Sequence, residues 1–346
     1  MKMDAVIPDK KIVVVVPNWN GSKFIETCFR ALGQQSAPHH LVVVDNGSTD
    51  GSVDLIETKH SEITLIKNRF NTGFANAANQ GIRFAQQQNA KYVVLINNDV
   101  TPEPDWLKHL ESFLDNEASV GIVTSKILTG DGKRIDSTGE LYSFWGLAFP
   151  RGRGEPTSDK YDRQTPIFGA SGGASLYRLE MLNKIGVFDK NFFAYYEDVD
   201  LSFRAQLAGW RVGYEPKAVV RHQIGATSGK IKGFTTYHTI KNLPWLFWKN
   251  VPSELLLRAL PRFFLAYLTI CLSALSRGQI KPVAKGLLVT TALLPKKLGQ
   301  RYKIQSSKKV SSKYISSIMT HDLPPGARKL RSLRATWWKL TGRSNV

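Results

Sequence analysis

Four short apolar runs recur along the first hundred residues, and each is followed by a cluster of polar residues. The runs cover residues 12–16, 40–44, 63–66 and 92–96 and are rich in valine, isoleucine and leucine. Runs this short and this apolar are typical of strands that are buried on both faces. Helical patterns separate them. The repeat therefore predicts an α/β fold, with a mixed, mainly parallel sheet flanked by helices.

The polar clusters would meet at one edge of this sheet, because parallel strands end on the same side. Ligands of such sheets bind beyond the carboxyl ends of the strands, so we predict a ligand site there. The chain has no G-x-x-x-x-G-K-[ST] motif and no G-x-G-x-x-G after its first strand. This argues against a P-loop enzyme and a dinucleotide dehydrogenase.

Two acids stand at the ends of predicted strands. Asp45 is placed to hydrogen-bond a ribose or a nucleobase, although Asp-Asn-Gly is also a common turn. Asp99 offers the hard oxygen ligand that suits Mg²⁺ or Mn²⁺ on a diphosphate. Its alternative use is to cap a helix before Pro102, a role that Thr101 could also take.

A second acidic stretch lies between residues 188 and 204, where Asp189, Glu197, Asp198 and Asp200 stand among aromatic residues. Buried acids are costly unless they are paired, bind a cation or take part in chemistry. A helical pattern begins at Asp198, which places Glu197 and Asp198 at the positive end of a helix dipole. The alternative is an acidic turn that only caps the helix.

The charge of the chain is unevenly distributed. Residues 230–346 hold 22 of the 47 basic residues but only two of the 28 acidic ones, Glu254 and Asp322. Such an asymmetry predicts a separate region with an anionic partner. We therefore predict two parts, residues 1–229 and residues 230–346.

The basic part also contains apolar segments. Residues 243–250 set aromatic side chains beside a lysine, as at a bilayer interface, and the runs 263–275 and 286–294 are too short to span a membrane. They predict a helical membrane-associating region that lies on anionic lipid, with the basic tail after residue 327 on the same surface. An ordinary helical cap on the first part is the alternative.

Cysteine usage and the N-terminus bear on location. Cys28 and Cys271 lie far apart and form no disulfide framework, which fits a reducing compartment. Residues 1–8 lack the apolar run of a signal peptide. We therefore expect a cytoplasmic first part.

The motifs together resemble the inverting, GT-A-fold glycosyltransferases of family two, most closely their bacterial rhamnosyltransferase-like branch. The resemblance covers residues 12–229. It is carried by residues 16–21, 44–52, 71–75, 97–99 and 196–201.

The resemblance implies roles for individual residues. Asp198 would be the catalytic base, with Glu197, Gly172 and Gly173 on the acceptor side. Asp99 and His222 would bind Mg²⁺ or Mn²⁺; this sequence has Asn97 where the Asp-x-Asp motif has its first acid. The residues that would hold the nucleotide sugar are Pro17, Asn18, Asn20, Asp45, Asn71, Gly73, Asn79, Asn97 and Asn98.

The resemblance also implies the partners. It favours dTDP-rhamnose as donor, with a UDP-hexose or UDP-galactofuranose as alternatives, and a lipid-linked or growing glycan of the bacterial cell surface as acceptor. The protein would then sit peripherally on the cytoplasmic face of the inner membrane. A nucleic-acid-binding protein is the rival class, but the basic residues interleave with long Leu/Phe runs. A non-catalytic sugar-nucleotide binder would not need Asp198.

Overall fold

The structure is a computed structural model, which describes residues 11–223, 231–327 and 331–332. Most of the predicted basic tail, with Arg328, Lys329, Arg334, Trp337 and Trp338, lies outside these ranges.

The first half alternates strands and helices as predicted. The four predicted strands are confirmed to within two residues at either end. The elements are β1 (Ile12–Asn18), α1 (Ser22–Gly33), β2 (His40–Asp45), α2 (Ser52–Lys59), β3 (Thr64–Lys67), α3 (Phe74–Gln87), β4 (Tyr92–Ile96), β5 (Val100–Pro102) and α4 (Trp106–Asn116).

The second half adds more strands and then four helices in succession. Its elements are β6 (Val120–Thr129), β7 (Ile135–Ser137), β8 (Glu140–Tyr142), β9 (Ala148–Pro150), β10 (Ala174–Arg178), α5 (Leu179–Ile185), α6 (Glu197–Leu207), β11 (Arg211–His222), α7 (Phe234–Asn250), α8 (Ser253–Ser276), α9 (Ile280–Ser306) and α10 (Ser312–Ile318).

The main sheet is mixed and has the strand order β3-β2-β1-β4-β10-β6-β11-β5. Strands β1 to β4 are parallel, whereas β10 runs antiparallel to both β4 and β6. Gly81 lets α3 lie directly on the sheet, because a Cβ there would come within 2.2 Å of Val15 Cγ1. The predicted α/β fold class, with a helical C-terminal region, is confirmed.

Two further sequence-based expectations concern the middle of the chain, and the first is wrong. Residues 133–154 look in sequence like a mobile connection over the cleft, but they contain β7, β8 and β9, and they bury Asp136 and Glu140. The two short strands expected at 212–215 and 218–220 are confirmed as strand, and both lie within β11, whose pairing to β6 is irregular between Glu215 and Val219.

The helices α7 to α10 share a hydrophobic core with α6 and with residues 142–148 and 192. Trp245 and Phe247 of α7 are fully buried in one cluster with Phe192 and Phe203. The expectation that residues 243–250 form a bilayer interface is therefore wrong. Their aromatic side chains pack on protein, as the helical-cap alternative predicts.

Helix α8 is long and apolar enough to cross a membrane, by length and composition, and no other helix in the described ranges is. The expectation that its apolar run is too short counted only residues 263–275, whereas the helix is 24 residues long. One face, with Ala259 and Phe263, is buried against the protein. The opposite face is exposed.

Candidate active site

Asp45 closes β2 and is almost fully buried by its own loop. One carboxylate oxygen accepts from the backbone N–H groups of Gly47 and Ser48, at 3.0 and 2.9 Å. The other accepts from Ser48 Oγ at 2.5 Å and from Asn18 Nδ2 at 2.9 Å. These bonds shape the loop after β2, which is the role of the turn alternative.

A chain of amides connects this loop to the end of β4. Asn18 receives a hydrogen bond from Asn98 Nδ2 on its Oδ1, at 2.7 Å, and donates from its Nδ2 to Asp45. Both asparagines are buried. Gly21 is needed beside them, because a Cβ there would come within 2.0 Å of Asn98 Nδ2.

The other predicted donor residues surround the same loops. Asn20 has a positive φ of 52° and accepts from Thr49 N at 2.8 Å. Asn71 accepts from Gly73 N at 2.9 Å. Gly73 has a φ of 85°, and a Cβ there would lie 2.6 Å from the Phe193 ring. Pro17 lies in β1 beside Val44 of β2. These residues are brought together at the sheet edge.

Asn79 lies apart from this group. Its side chain is buried in α3. Its Nδ2 donates to Phe188 O at 2.8 Å, and its Oδ1 accepts from Phe188 N at 2.9 Å. Both ends of the amide are therefore used to join α3 to the segment before α6. This favours a structural role over the predicted donor contact.

Asp99 and His222 face each other across the antiparallel pair of β5 and β11. The pairing sets His222 opposite Val100, and His222 Nε2 lies 3.4 Å from Asp99 Oδ1. The helix-cap alternative for Asp99 is wrong, because Val100–Pro102 is a strand. His222 Nδ1 bonds to Asp136 Oδ2 at 2.8 Å, and Arg153 pairs with the other oxygen of Asp136 at 3.0 Å.

The donors at this pair suit a divalent cation. Asp99 Oδ1 is buried and has no hydrogen-bond partner within the described ranges. Burial disfavours a charged His222 ring, but Asp136 and Asp99 outweigh it and raise the pKa of His222 to about 9. A cation bound here would therefore displace the proton from the His222 ring, because a ligating histidine is neutral. No group of three or more His, Cys, Asp or Glu in the described chain could hold a metal by itself. Two protein ligands fit an ion that takes its remaining ligands from substrate phosphates and water.

The predicted base lies next to this pair, across one glycine turn. Asp198 is the second residue of α6, and its Oδ2 accepts from Gly172 N at 2.9 Å. Gly173 O accepts from Asn97 N at 3.0 Å. The turn formed by Gly172 and Gly173 therefore contacts both the Asp198 carboxylate and the loop that carries Asp99.

Three carboxyl groups share this part of the cleft, and burial raises the pKa of each. Burial and the charge of Asp198 raise the pKa of Glu197 to about 8. Burial raises the pKa of Asp198 as well, against hydrogen bonds from Gly172 and Val199. Burial and the Asp198 charge hold the pKa of Glu140 well above its usual range. Such environments favour a carboxylate that accepts protons readily.

Comparison with known proteins decides the family. A family model described as glycosyl transferase family 2 matches residues 13–186, which is half of the chain. The chain belongs to glycosyltransferase family 2.

Curated relatives of this family-2 glycosyltransferase share about a quarter of its residues. An N-acetylglucosaminyl-diphospho-decaprenol L-rhamnosyltransferase of Mycobacterium tuberculosis is 26% identical over 218 residues, covering 56% of this chain and 69% of the relative. A low-salt glycan biosynthesis hexosyltransferase of Haloferax volcanii is 24% identical over 216 residues, covering 60% of this chain and 65% of the relative.

Solved structures with the same fold include glycosyltransferases bound to nucleotides. GalNAc-T7 with UDP, GalNAc and Mn²⁺ has a TM-score of 0.54 at 13% identity, over 69% of this chain and 48% of that one. Residues 1–349 of S. aureus TarS in complex with UDP have a TM-score of 0.51 at 17% identity, over 91% of this chain and 95% of that one. The resemblance to the GT-A fold is thus confirmed.

Sequence reasoning missed three residues in the cleft of this family-2 glycosyltransferase. Asp136, Glu140 and Arg153 come from the hairpin region that looks like a loop in sequence. Polar residues alternate with apolar ones at Ile135 and Leu141, and this alternation could have signalled strands. It could not have shown which face meets the cleft.

Proposed function

We propose that this protein is a metal-assisted, inverting glycosyltransferase that moves L-rhamnose from dTDP-rhamnose to a lipid-linked glycan acceptor. One observation carries the proposal. A continuous series of contacts runs from Asp45 through Asn18 and Asn98 to the loop of Asp99, and from there through Gly173 and Gly172 to Asp198.

The order of these contacts matches the parts of the reaction. In this proposal a nucleoside binds beside Asp45 and a diphosphate beside Asp99, with Asp198 on the far side of the glycine turn. A sugar between Asp99 and Asp198 would present one face of its anomeric carbon to the base and the other to the leaving diphosphate. That geometry supports inversion by a single displacement.

The base acts on the acceptor. An acceptor hydroxyl has a pKa far above neutral, so it must lose its proton as it attacks. Asp198 takes the proton, a bond forms between the acceptor oxygen and the anomeric carbon, and the bond from that carbon to the diphosphate oxygen breaks. Gly172 N–H donates to Asp198 Oδ2 at 2.9 Å. The other carboxylate oxygen, Oδ1, accepts from Val199 N–H in the first turn of α6.

Asp99 and His222 would hold Mg²⁺ or Mn²⁺, which supplies charge neutralisation on the leaving diphosphate. Asp136 orients His222 through its Nδ1, so that Nε2 faces Asp99. A carboxylate behind a ligating histidine is a common arrangement at metal sites. The Mn²⁺ bound to GalNAc-T7 in the same fold supports a divalent ion here.

The named relatives support the choice of substrates. The mycobacterial relative is a rhamnosyltransferase with a diphospho-decaprenol acceptor, whereas TarS binds UDP. The test is to incubate the protein and Mn²⁺ with dTDP-rhamnose and N-acetylglucosaminyl-diphospho-polyprenol, and to read the product by mass and NMR. We expect a product with inverted anomeric configuration. Transfer only from a UDP-sugar would show that dTDP-rhamnose is not the donor. The absence of transfer from any nucleotide sugar would refute the proposal.

The proposal includes docking on an anionic membrane surface through α8 and α9. The outward face of α8 exposes large apolar side chains, among them Phe264 at 66% and Leu272 at 56%; Leu288 of α9 is 71% exposed. Exposed basic residues flank these stripes: Arg258, Arg262, Arg277, Lys281, Lys285, Lys296 and Lys303. Apolar stripes bordered by cations fit the headgroup region of an anionic bilayer.

The buried inner face of α8 favours a helix that lies along the surface rather than one that crosses it. The test is sedimentation with phosphatidylglycerol vesicles. Phe264→Glu should weaken binding about tenfold, while the control Phe70→Glu, at another exposed phenylalanine, should not. Equal binding by both variants would refute this surface. Retention on vesicles after an alkaline wash would show a spanning helix instead.

A further inference from the structure

The backbone just before the proposed base is held in an unfavourable conformation. Phe193, Tyr195 and Tyr196 have φ angles of 67°, 67° and 70°. Side-chain-bearing residues avoid this left-handed region, and aromatic ones gain nothing there from local hydrogen bonds. Such a conformation persists only when the surrounding structure holds it. It leads directly into Glu197, the first residue of α6.

Helix α7 supplies the groups that hold this segment, which we call loop 189–196. Asn242 Nδ2 donates to the carbonyls of Phe192, Ala194 and Tyr195, at 3.0, 2.9 and 2.9 Å. Lys241 Nζ donates to the carbonyls of Asn191 and Phe192, at 3.0 and 3.1 Å. Asn242 is fully buried. One turn of α7 thus binds four successive or near-successive carbonyls of the loop.

This turn of α7 is itself fixed by its neighbours. Pro244 has no backbone N–H, so the carbonyl of Ile240 lacks its usual helical donor. Tyr267 OH of α8 donates to that carbonyl at 2.8 Å. Thr290 Oγ1 of α9 donates to the carbonyl of Lys241 at 3.0 Å. The proline therefore creates a place where α8 and α9 set the position of Lys241 and Asn242.

The other side of loop 189–196 touches the predicted donor site. Phe193 O accepts from Ala75 N at 3.1 Å, at the start of α3. The Phe193 ring closes over Gly73, where a Cβ would lie 2.6 Å from it. The loop consequently lies between the donor loops, α6 and α7, and a shift in it would move the start of α6.

We propose that Asn242 is a positioning residue, which holds loop 189–196 in its left-handed conformation and so sets the Asp198 carboxylate for proton transfer. This rests on the proposed function, since it assigns a purpose to the placement of the base. Asn242 does not touch the reacting atoms. Its effect passes through the three carbonyls it binds.

The experiment compares Asn242→Ala with Asn250→Ala. Asn250 is the matched control, because it is also a fully buried asparagine of α7 and donates to Asp200 Oδ1 at 2.8 Å rather than to the loop. Hydrogen exchange measured by mass spectrometry reports on peptides that cover residues 189–196. Steady-state kinetics with dTDP-rhamnose and N-acetylglucosaminyl-diphospho-polyprenol report on turnover.

We expect Asn242→Ala to speed exchange in these peptides about tenfold or more and to lower kcat about 100-fold, the effect of a small misplacement of a reacting group. Its KM for dTDP-rhamnose should stay within about threefold. Asn250→Ala should lower the melting temperature but leave loop exchange and kcat near their original values.

Unchanged hydrogen exchange in Asn242→Ala would show that Asn242 does not hold loop 189–196. Faster exchange with an unchanged kcat, or equal loss of kcat in both variants, would overturn the positioning role. The exchange measurement needs no substrate. A wild-type protein without transferase activity would therefore refute the proposed function. The exchange comparison would still show whether Asn242 holds loop 189–196.

Discussion

Four acids within twelve residues fold into two pairs with opposite surroundings. Asp189 and Asp200 are buried against lysines: Lys249 Nζ lies 2.9 Å from a carboxylate oxygen of each, and Lys297 Nζ lies 2.6 Å from Asp189. Arg204 also pairs with Asp200. Burial alone would raise the pKa of both acids, but the nearby cations outweigh it and lower both.

Glu197 and Asp198 receive no such compensation. Within the described ranges neither forms an ion pair with a lysine or arginine, and Glu197 Oε2 has no hydrogen-bond partner there. Their pKa values move upward instead. The comparison shows that buried cations neutralise Asp189 and Asp200, whereas Glu197 and Asp198 at the start of α6 have no ion pair within the described ranges. Buried acids without a nearby cation cost stability, which is the pattern expected of carboxylates that take part in chemistry.

The largest expected effect is on the rate of transfer. Asp198→Asn should lower kcat about 1000-fold, because the amide cannot accept the acceptor proton. Donor affinity, measured by calorimetry, should stay close to that of the wild type. Asp200→Asn is the comparison variant and should mainly lower the melting temperature. Substantial turnover in Asp198→Asn would show that Asp198 is not the base.

The next largest effect is on the free energy of unfolding, through the lysines that neutralise Asp189 and Asp200. Lys297→Ala leaves Asp189 short of one buried cation and should lower the free energy of unfolding by about 3 kcal/mol. The adjacent Lys296 is exposed, so Lys296→Ala should change it by less than about 0.5 kcal/mol. Denaturant titration of both variants measures the difference. Equal stabilities would contradict the buried network.

Removing a charge at Glu197 should change the free energy of unfolding in the opposite direction, toward higher stability. Burial and the charge of Asp198 raise the pKa of Glu197 to about 8 in the folded protein, against an ordinary value of 4.5. The folded state therefore keeps this proton longer than the unfolded chain, and stability falls as pH rises through that window. Glu197→Gln removes the charge and should raise the free energy of unfolding by roughly 2 kcal/mol at pH 8, with little change at pH 4.5. An equal gain at both pH values would point away from the carboxylate charge.

The smallest effect concerns Asp136 behind His222. Asp136→Asn should weaken Mn²⁺-dependent donor binding about tenfold, because His222 loses the carboxylate that orients it. Asp131→Asn is the control, at an exposed acid of the same hairpin region that bonds Thr129. Calorimetric titration with and without Mn²⁺ separates the two. The same affinity in both variants would remove Asp136 from the site.

Local pattern predicted the first half well because its strands are short, apolar and buried on both faces. The parallel arrangement then gathers Asp45 and Asp99 at one edge without further information. Helix α6 was likewise predictable from the periodicity after Asp198.

The partners of the second acidic stretch were not predictable. Lys249 and Lys297 lie 60 and 108 residues from Asp189, and nothing in their local sequence separates them from exposed Lys296. Asp136 and Glu140 were missed for the same reason. Asp136 lies in β7, which pairs with β6, and Glu140 lies in β8, which pairs with β9 and bridges to Gly169. No local period encodes which of these side chains become buried.

The central claim is that the sheet edge is a metal-assisted nucleotide-sugar site beside a separate base. Calorimetric titration of the intact protein with dTDP-rhamnose and UDP-sugars, with and without Mn²⁺, tests it most directly. The account predicts binding of one sugar nucleotide that requires Mn²⁺, is weakened by His222→Ala and survives in Asp198→Asn. Binding that is indifferent to Mn²⁺ and to His222, or no binding of any sugar nucleotide, would contradict it.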